Sequence, residues 1–282
     1  MKEQLDPWSY LQSLSDKDDE AIDLAKAALA LGAMELEGVS LERYIHHLNV
    51  LVKDCESRYQ TYMVEGRDDC AGLRHEILVD ILADEYGYVG DNQSYDDLQN
   101  ANLCKVIDRA KGLPIALSIL YIHVGRALDW NVGGVNFPGH FMCRIEMAGE
   151  RIIFDPFQSG RIMEAPDLRI LIKKVLGDEA ELSSDYYNLA SNREILTRLE
   201  NNIKHRKIEV EDYAGALIHV ERMRVISPDD YRLLLDAGVL YAKTEQARAA
   251  MECLTQYVRK APQGRARHEA EMLLRELVQR LN

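Results

Sequence analysis

Apolar positions in the first third of the chain recur with the spacing of buried helix faces. Two sets between residues 41 and 82 have members three or four residues apart: Leu41, Tyr44, Ile45, Leu48, Leu51 and Val52, and then Leu73, Ile77, Leu78, Ile81 and Leu82. This spacing places each set along one side of an α-helix. Ser40 is a predicted N-cap for the first set. We therefore predict that residues 20–85 are helical.

The helical rhythm ends at residues 85–97, where glycine and asparagine replace the apolar positions. Such residues favour a loop. A later segment, PIALSILYIHVGRAL at 114–128, begins with Pro114 and is apolar on nearly all sides. Proline suits the first turn of a helix, and a helix that is apolar all round is usually buried. We predict a central core helix here.

Residues 135–157, VNFPGHFMCRIEMAGERIIFDPF, predict two strands around an Ala-Gly turn. If the turn is centred between Met147 and Ala148, His140 lies directly opposite Asp155. If it is centred one residue later, they are diagonal neighbours. Side chains alternate between the two faces of a strand, so both registers place this pair on one face. A hydrogen bond between the imidazole and the carboxylate is therefore predicted.

From about residue 191 the pattern is one of paired helices with a period of 34 residues. At that offset Ala216 aligns with Ala250 and Pro228 with Pro262. This is the period of tetratricopeptide repeats, and residues 232–243 supply the first helix of the second unit. Only two units are visible, whereas about three are normally needed to bury a continuous core. We therefore expect the repeats to pack partly on the preceding domain.

The predicted repeats also provide a binding surface. Their inner residues Leu217, Leu240 and Met251 are expected to pack against one another and against the core domain. The polar outer side, or the groove beside the helices, is where we expect a protein or peptide partner to bind. Arg222 and Arg224 are the arginines expected at this surface.

Composition narrows the range of partners and compartments. Lys and Arg total 34 and Asp and Glu 47, a net charge of -13, which repels nucleic acid and anionic membranes. No apolar segment predicts a signal peptide or a membrane span. The five cysteines form no C-x-x-C pair, which is typical of free thiols in a reducing compartment. We expect a cytoplasmic protein that binds neither nucleic acid nor membranes.

No metal or cofactor is expected. His46 and His47 lie on an amphipathic helix and His123 on the apolar central helix, and none has a partner at the spacing of metal ligands. A glycine-rich loop of the type that holds nucleotide phosphates is absent from the sequence.

Three short motifs follow one another in the middle of the chain: RAKGLPIALS, PGHF and DPFQSG. With the residues around them, at about positions 70 to 170, they resemble the transglutaminase-like core of the bacterial SirB-type family, in which tetratricopeptide repeats follow that core. The resemblance implies a papain-like α+β fold, with a central helix packed on a small antiparallel sheet. It also implies a nucleophile at the start of that helix, with His140 and Asp155 on neighbouring strands.

The nucleophile is missing from its expected position. Active transglutaminases carry Gly-x-Cys at the head of the central helix, but this chain reads Gly112-Leu113-Pro114. Proline offers neither a nucleophile nor a backbone N–H. Ser118, one turn further on, and Cys104 are the substitutes, with His140 as base and Asp155 as the residue that orients it.

Each of these residues also has a purely structural interpretation. A serine in an apolar helix usually donates to the carbonyl four residues earlier, and a cysteine on an amphipathic segment is usually a buried apolar residue. His140 bonded to Asp155 could simply close the sheet onto the central helix. Cys143, three residues after His140, points to the opposite face of its strand.

We predict three parts: an N-terminal helical region (1–66), the α+β core (67–190) and a helical repeat region (191–282). The first functional hypothesis is a non-catalytic protein that binds a protein or peptide through its repeats. The alternative is a Cys- or Ser-dependent hydrolase or acyltransferase of peptide or amide bonds. A thiol or hydroxyl beside His140 in an open cleft favours the enzyme, and an imidazole enclosed by Pro114, Phe141 and Phe157 favours the scaffold.

Overall fold

The computed structural model describes residues 6–281. Within that range the α-helices are α1 (Pro7–Gln12), α2 (Leu24–Ala33), α3 (Leu41–Val64), α4 (Ala71–Val79), α5 (Leu103–Arg109), α6 (Pro114–Ala127), α7 (Ala165–Leu176), α8 (Asn192–Glu209), α9 (Tyr213–Ile226), α10 (Arg232–Lys243), α11 (Ala247–Lys260) and α12 (Arg265–Leu281). The strands are β1 (Val89–Gly90), β2 (Lys111–Gly112), β3 (Asn131–Phe137), β4 (His140–Met147), β5 (Glu150–Asp155) and β6 (Arg161–Ile162). None of these helices is long and apolar enough to cross a membrane.

The chain forms two compact units. The first contains residues 18–195 with the described residues before 11, and the second contains residues 11–17 with residues 196–281. Helices α2 and α3, which lie in the predicted N-terminal region, therefore belong to the same unit as the α+β core. Ser40 caps α3 as predicted, because its hydroxyl accepts a hydrogen bond from the N–H of Glu42 at 3.3 Å.

Helix α6 is the centre of the first unit. It begins at Pro114, as predicted, and nearly all its side chains before Gly125 are buried. Gly125 lets it approach β3 closely, since a Cβ there would lie 2.4 Å from a methyl group of Val132. The antiparallel sheet has the order β3-β4-β5-β6. A central helix on a small antiparallel sheet confirms the predicted α+β core.

The hairpin between β4 and β5 adopts the second of the two predicted registers. Met147 pairs with Glu150, so the two-residue turn is Ala148-Gly149. Both turn residues have positive φ, 51° and 87°, the backbone of a type I′ turn. His140 and Asp155 are consequently diagonal neighbours on adjacent strands.

Strands β1, β2 and β6 were not predicted from the sequence, and only residues 135–137 of β3 lay within a predicted strand. Residues 131–137 read NVGGVNF, and paired glycines weaken the pattern of a strand. Both glycines are packed against side chains: a Cβ on Gly133 would lie 2.7 Å from Leu189, and one on Gly134 2.4 Å from Phe141. The glycines of β3 are therefore explained by tertiary packing.

The second unit has the predicted paired helices. Helix α10 has the predicted bounds, and Ala216 and Ala250, which align at the 34-residue offset, are both fully buried. Gly238 allows α10 and α11 to approach each other, because a Cβ there would lie 2.7 Å from Leu254. These features confirm helices of the tetratricopeptide type. Leu217 and Leu240 share one apolar cluster.

The prediction that Arg222 lies on the surface is wrong. Arg222 is 6% exposed and lies 3.9 Å from the carboxylate of Glu200, which also accepts a hydrogen bond from His219 at 2.8 Å. Arg224 is partly exposed and pairs with Glu221 at 2.7 Å. Buried ion pairs are costly to break, so reversing the charge of Arg222 would disturb folding rather than test a binding surface.

We expect the fragment 191–282 to unfold with low cooperativity when it is expressed alone. Residues 11–17 belong to the second unit, and Leu11 and Leu14 are both fully buried. The fragment lacks these side chains and exposes the apolar surface that they cover. Thermal unfolding followed by circular dichroism tests this against the full chain. A sharp transition with full helicity would show that residues 11–17 are dispensable.

Replacing His123 with leucine is expected to raise the free energy of unfolding by about 1 kcal/mol at pH 7. The Nε2 atom of His123 is buried and has no hydrogen-bond partner among the described residues. Burial lowers the pKa of this imidazole from its usual 6.5. As the pH falls through 6.5, the unfolded chain therefore binds more protons at this residue than the folded chain does. The free energy of unfolding consequently decreases as the pH falls.

Between pH 7 and pH 5, the free energy of unfolding of the leucine variant should accordingly fall less than that of the wild type. Urea unfolding at several pH values measures it. The matched control is His268→Gln, a change at an exposed histidine of α12, which should leave the free energy of unfolding at pH 7 nearly unchanged. An unchanged slope in the leucine variant would contradict the prediction.

Candidate functional site

His140 opens β4 and Asp155 ends β5, and their side chains are hydrogen-bonded. The distance from Nε2 of His140 to Oδ2 of Asp155 is 2.9 Å. The carboxylate is fully buried, whereas the imidazole is 18% exposed. The predicted bond between the two residues is confirmed.

The carboxylate of Asp155 is held in place by two further donors. Its Oδ1 accepts a bond from the backbone N–H of Phe157 at 2.9 Å, and its Oδ2 accepts one from Nε2 of Gln158 at 2.8 Å. Asp155 is thus the N-cap of the short 3₁₀ helix Pro156–Gln158. The sequence contains a signal for this cap, since an aspartate followed by proline is typical of the start of a helical turn.

The bond to Asp155 fixes the tautomer of His140. An ionised carboxylate can only accept a hydrogen bond, so Nε2 of the neutral imidazole carries the hydrogen and Nδ1 carries the lone pair. Among the described residues, no thiol or hydroxyl is hydrogen-bonded to this imidazole. The pair could orient a base toward a group placed at Nδ1, as in a Cys-His-Asp triad.

Phe157 is the aromatic neighbour of His140. The two rings meet edge to face, with centroids 6.5 Å apart and an interplanar angle of 87°. The backbone of Gly90 packs against Phe157, because a Cβ on Gly90 would lie 2.5 Å from both its ring and its carbonyl oxygen. Gly90 pairs in turn with Gly112, two residues before α6. Phe157 and Gly90 therefore connect His140 to the head of the central helix.

Of the other two residues expected to enclose the imidazole, Phe141 is placed differently. Phe141 is directed to the opposite side of β4, where its ring lies next to Gly134 and Ile195. Pro114 is buried at the first turn of α6. Of the three, Phe157 is the one with a ring contact to His140.

A polar network missed by the sequence analysis fixes the chain before α6. The carboxylate of Asp91 accepts bonds from the N–H and the hydroxyl of Ser94, and from Arg109 at 2.9 Å. These hydrogen bonds, those from Ser94 above all, hold the pKa of Asp91 well below its usual range. Asn100 accepts a backbone bond from Leu113 at 2.9 Å. The D-x-x-S spacing of residues 91–94 is a turn signal that could have indicated this anchor.

Ser118 is not hydrogen-bonded to His140. It is fully buried in α6, and its hydroxyl donates to the carbonyl of Pro114 at 2.8 Å. This is the bond to the carbonyl four residues earlier that the structural interpretation predicts.

Cys104 and Cys143 are buried thiols. The Sγ of Cys104 donates to the carbonyl of Leu29 at 3.6 Å, and that of Cys143 to the carbonyl of Ser118 at 3.8 Å. Burial raises the pKa of each to about 12. The thiolate is the nucleophilic form of cysteine, so both thiols are held in an unreactive state at neutral pH. Cys70 is exposed, at the N-cap of α4.

In the part of the chain that the structure describes, no three His, Cys, Asp or Glu side chains converge as metal ligands.

Comparison with known proteins gives relatives that span nearly the whole chain. A UPF0162 protein of Xylella fastidiosa is 28% identical over 269 residues, which cover 94% of this chain and 92% of the relative. A UPF0162 protein of Vibrio cholerae is 28% identical over 262 residues, 93% of each chain. Protein SirB1 of Salmonella typhimurium is 25% identical over 189 residues, 67% of this chain and 70% of its own.

Two family models match the two parts of the fold. Residues 203–275 match the tetratricopeptide repeat. Residues 42–201, more than half of the chain, match the transglutaminase-like superfamily. This range contains the central helix, the sheet and the bonded pair of His140 and Asp155. The chain therefore belongs to the transglutaminase-like superfamily and carries C-terminal tetratricopeptide repeats.

Proposed function

We propose that this protein is a non-catalytic member of the superfamily that acts by binding another protein or peptide through its C-terminal helices. The main support for this proposal is the sequence at the start of α6. Gly112-Leu113-Pro114 stands where the active pattern has Gly-x-Cys, and the backbone there is anchored by Asn100. Proline supplies neither a nucleophile nor an N–H for an oxyanion.

The surroundings of His140 support the same function. Its partner Asp155 also accepts bonds from Phe157 and Gln158, so the pair joins the end of the sheet to the turn that follows. Satisfied buried hydrogen bonds of this kind stabilise a fold without any catalytic role. The free thiols of all five cysteines support the cytoplasmic location that the sequence indicates.

One observation favours the alternative, a hydrolase or acyltransferase of peptide or amide bonds. His140 is oriented by Asp155 through Nε2 and presents Nδ1 without a partner among the described residues, which is the arrangement of a general base. Against it stand the candidate nucleophiles, because Ser118 is bonded to Pro114 and Cys104 is buried.

Reactive probes separate the two functions. The exposed Cys70 would react with any thiol reagent, so the experiment uses the Cys70→Ser chain as background. That chain and its His140→Ala derivative are treated with thiol- and serine-directed probes, and labelling is measured by intact mass. We expect no labelling that depends on His140. Labelling that is lost in the His140→Ala derivative would establish the enzyme.

The interaction itself is tested with the full chain as bait. Proteins retained from a lysate by the wild type should be retained equally by the His140→Ala variant, because binding is assigned to the helical repeats. Failure of the wild type to retain any protein above a bead control would count against the interaction role.

A further inference from the structure

The C-terminal unit contains a groove of about 540 Å³ between α8, α10 and α12. This volume lies within the range of ligand-binding clefts in proteins. The groove belongs to one unit of the fold and is separate from the site around His140.

Aliphatic side chains form the walls of this groove. Ile208 of α8 and Val239 of α10 are each 36% exposed, and Leu235 and Leu273 line the groove beside them. Apolar surface that stays in contact with water on neighbouring helices is stabilised when a partner covers it. The walls therefore suit aliphatic side chains of a bound segment.

The charged groups that line the groove are paired, with one exception. Lys204 donates to the carboxylate of Asp236 at 2.6 Å. Glu269 accepts a bond from Arg265 at 2.7 Å. Burial lowers the pKa of His205, so its imidazole is neutral at pH 7. The charges of Lys204 and Asp236, and those of Arg265 and Glu269, therefore compensate each other within the protein.

Lys243 is the exception. Its ammonium lies 5.4 Å from the ring centroid of Tyr213, and no carboxylate among the described residues pairs with it. An aromatic ring below an ammonium stabilises the positive charge without neutralising it. The groove thus has apolar walls and one cation that no described carboxylate compensates, although the whole chain has a net charge of -13.

We propose that this groove binds a peptide segment of a partner protein in which an aspartate or glutamate side chain is flanked by aliphatic residues. The carboxylate pairs with Lys243, and the aliphatic residues cover Ile208 and Val239. This inference rests on the proposed interaction function and specifies the chemistry of the partner. The positive charge of Lys243 favours an acidic residue in the peptide, and the apolar walls favour aliphatic residues on either side of it.

The test measures binding of defined peptides to the full-length protein. Three labelled heptapeptides, acetylated and amidated at their ends, carry leucine on both sides of a central glutamate, glutamine or lysine. Fluorescence anisotropy gives their dissociation constants. A charged hydrogen bond beside an apolar wall should make the glutamate peptide bind about tenfold more tightly than the glutamine peptide. The lysine peptide should bind most weakly.

Reversing the charge of Lys243 should reverse this order. The Lys243→Glu variant is expected to prefer the lysine peptide and to lose its preference for glutamate. Lys260→Glu is the matched control, because Lys260 is exposed at the end of α11 and does not line the groove. Both positions are exposed, so both variants should keep the thermal transition of the wild type.

Several results would overturn the proposal. They are equal binding of the glutamate and glutamine peptides, no binding of any of the three, or an unchanged order in Lys243→Glu. A glutamine peptide with a free carboxyl terminus that matches the glutamate peptide would assign the carboxylate to a chain end instead. These peptide-binding results say nothing about a nucleophile beside His140. His140-dependent probe labelling would overturn the proposed non-catalytic function, whereas the peptide results above would overturn only the proposed chemistry of the groove.

Discussion

The Asp155→Asn variant is expected to unfold with a free energy about 2 kcal/mol lower than that of the wild type. The buried carboxylate accepts bonds from His140, Phe157 and Gln158. An amide in its place has one acceptor oxygen, and its NH₂ group faces a donor. At least one buried polar group is then left unpaired or has to reorient, which costs stability whether or not the protein is an enzyme.

Chemical denaturation measures this loss directly. Asp229→Asn is the matched control, since Asp229 lies exposed in the turn before α10 and the same change there should be nearly neutral. A denaturation curve for Asp155→Asn that superimposes on the wild-type curve would show that the hydrogen bonds of this carboxylate do not stabilise the fold.

The Gly90→Ala variant is expected to lose about 3 kcal/mol of stability, the upper part of the range for overpacked sites. A Cβ on Gly90 would lie 2.5 Å from the ring of Phe157 and 2.5 Å from its carbonyl oxygen. A backbone oxygen cannot rotate away as a side chain does. The 3₁₀ turn after Asp155 would have to move, and the contact between Phe157 and His140 with it.

Gly264→Ala provides the control for this glycine. Nothing lies within 4 Å of a Cβ at Gly264, and its backbone has no positive φ. Alanine there should be neutral or slightly stabilising, because it lowers the entropy of the unfolded chain. Equal stability of the two variants would show that β1 can shift away from Phe157 at little cost.

The sequence by itself predicted the parts of the fold that depend on local pattern. Apolar spacing gave α3 and the central helix α6, and the proline at 114 gave the start of α6. The Ala148-Gly149 turn limited the hairpin to two registers, both of which place His140 and Asp155 on one face. The 34-residue period indicated the C-terminal helices. These features follow from residues close together in the chain, whose geometry is set by helix and strand periodicity.

Tertiary structure decided the features that join distant segments. The first half of β3, residues 131–134, was missed because its two glycines are required by packing against Leu189 and Phe141, which the local pattern does not show. Arg222 was wrongly predicted to lie on the surface. Its buried partner Glu200 is on another helix, and the residues next to Arg222 in the sequence do not indicate this pairing. The connection from Gly112 through Gly90 to Phe157 likewise depends on which helices and strands become neighbours. So does the position of Lys243 in its groove, where no described carboxylate pairs with it. Close packing between elements determines those contacts, and local sequence propensity therefore does not predict them.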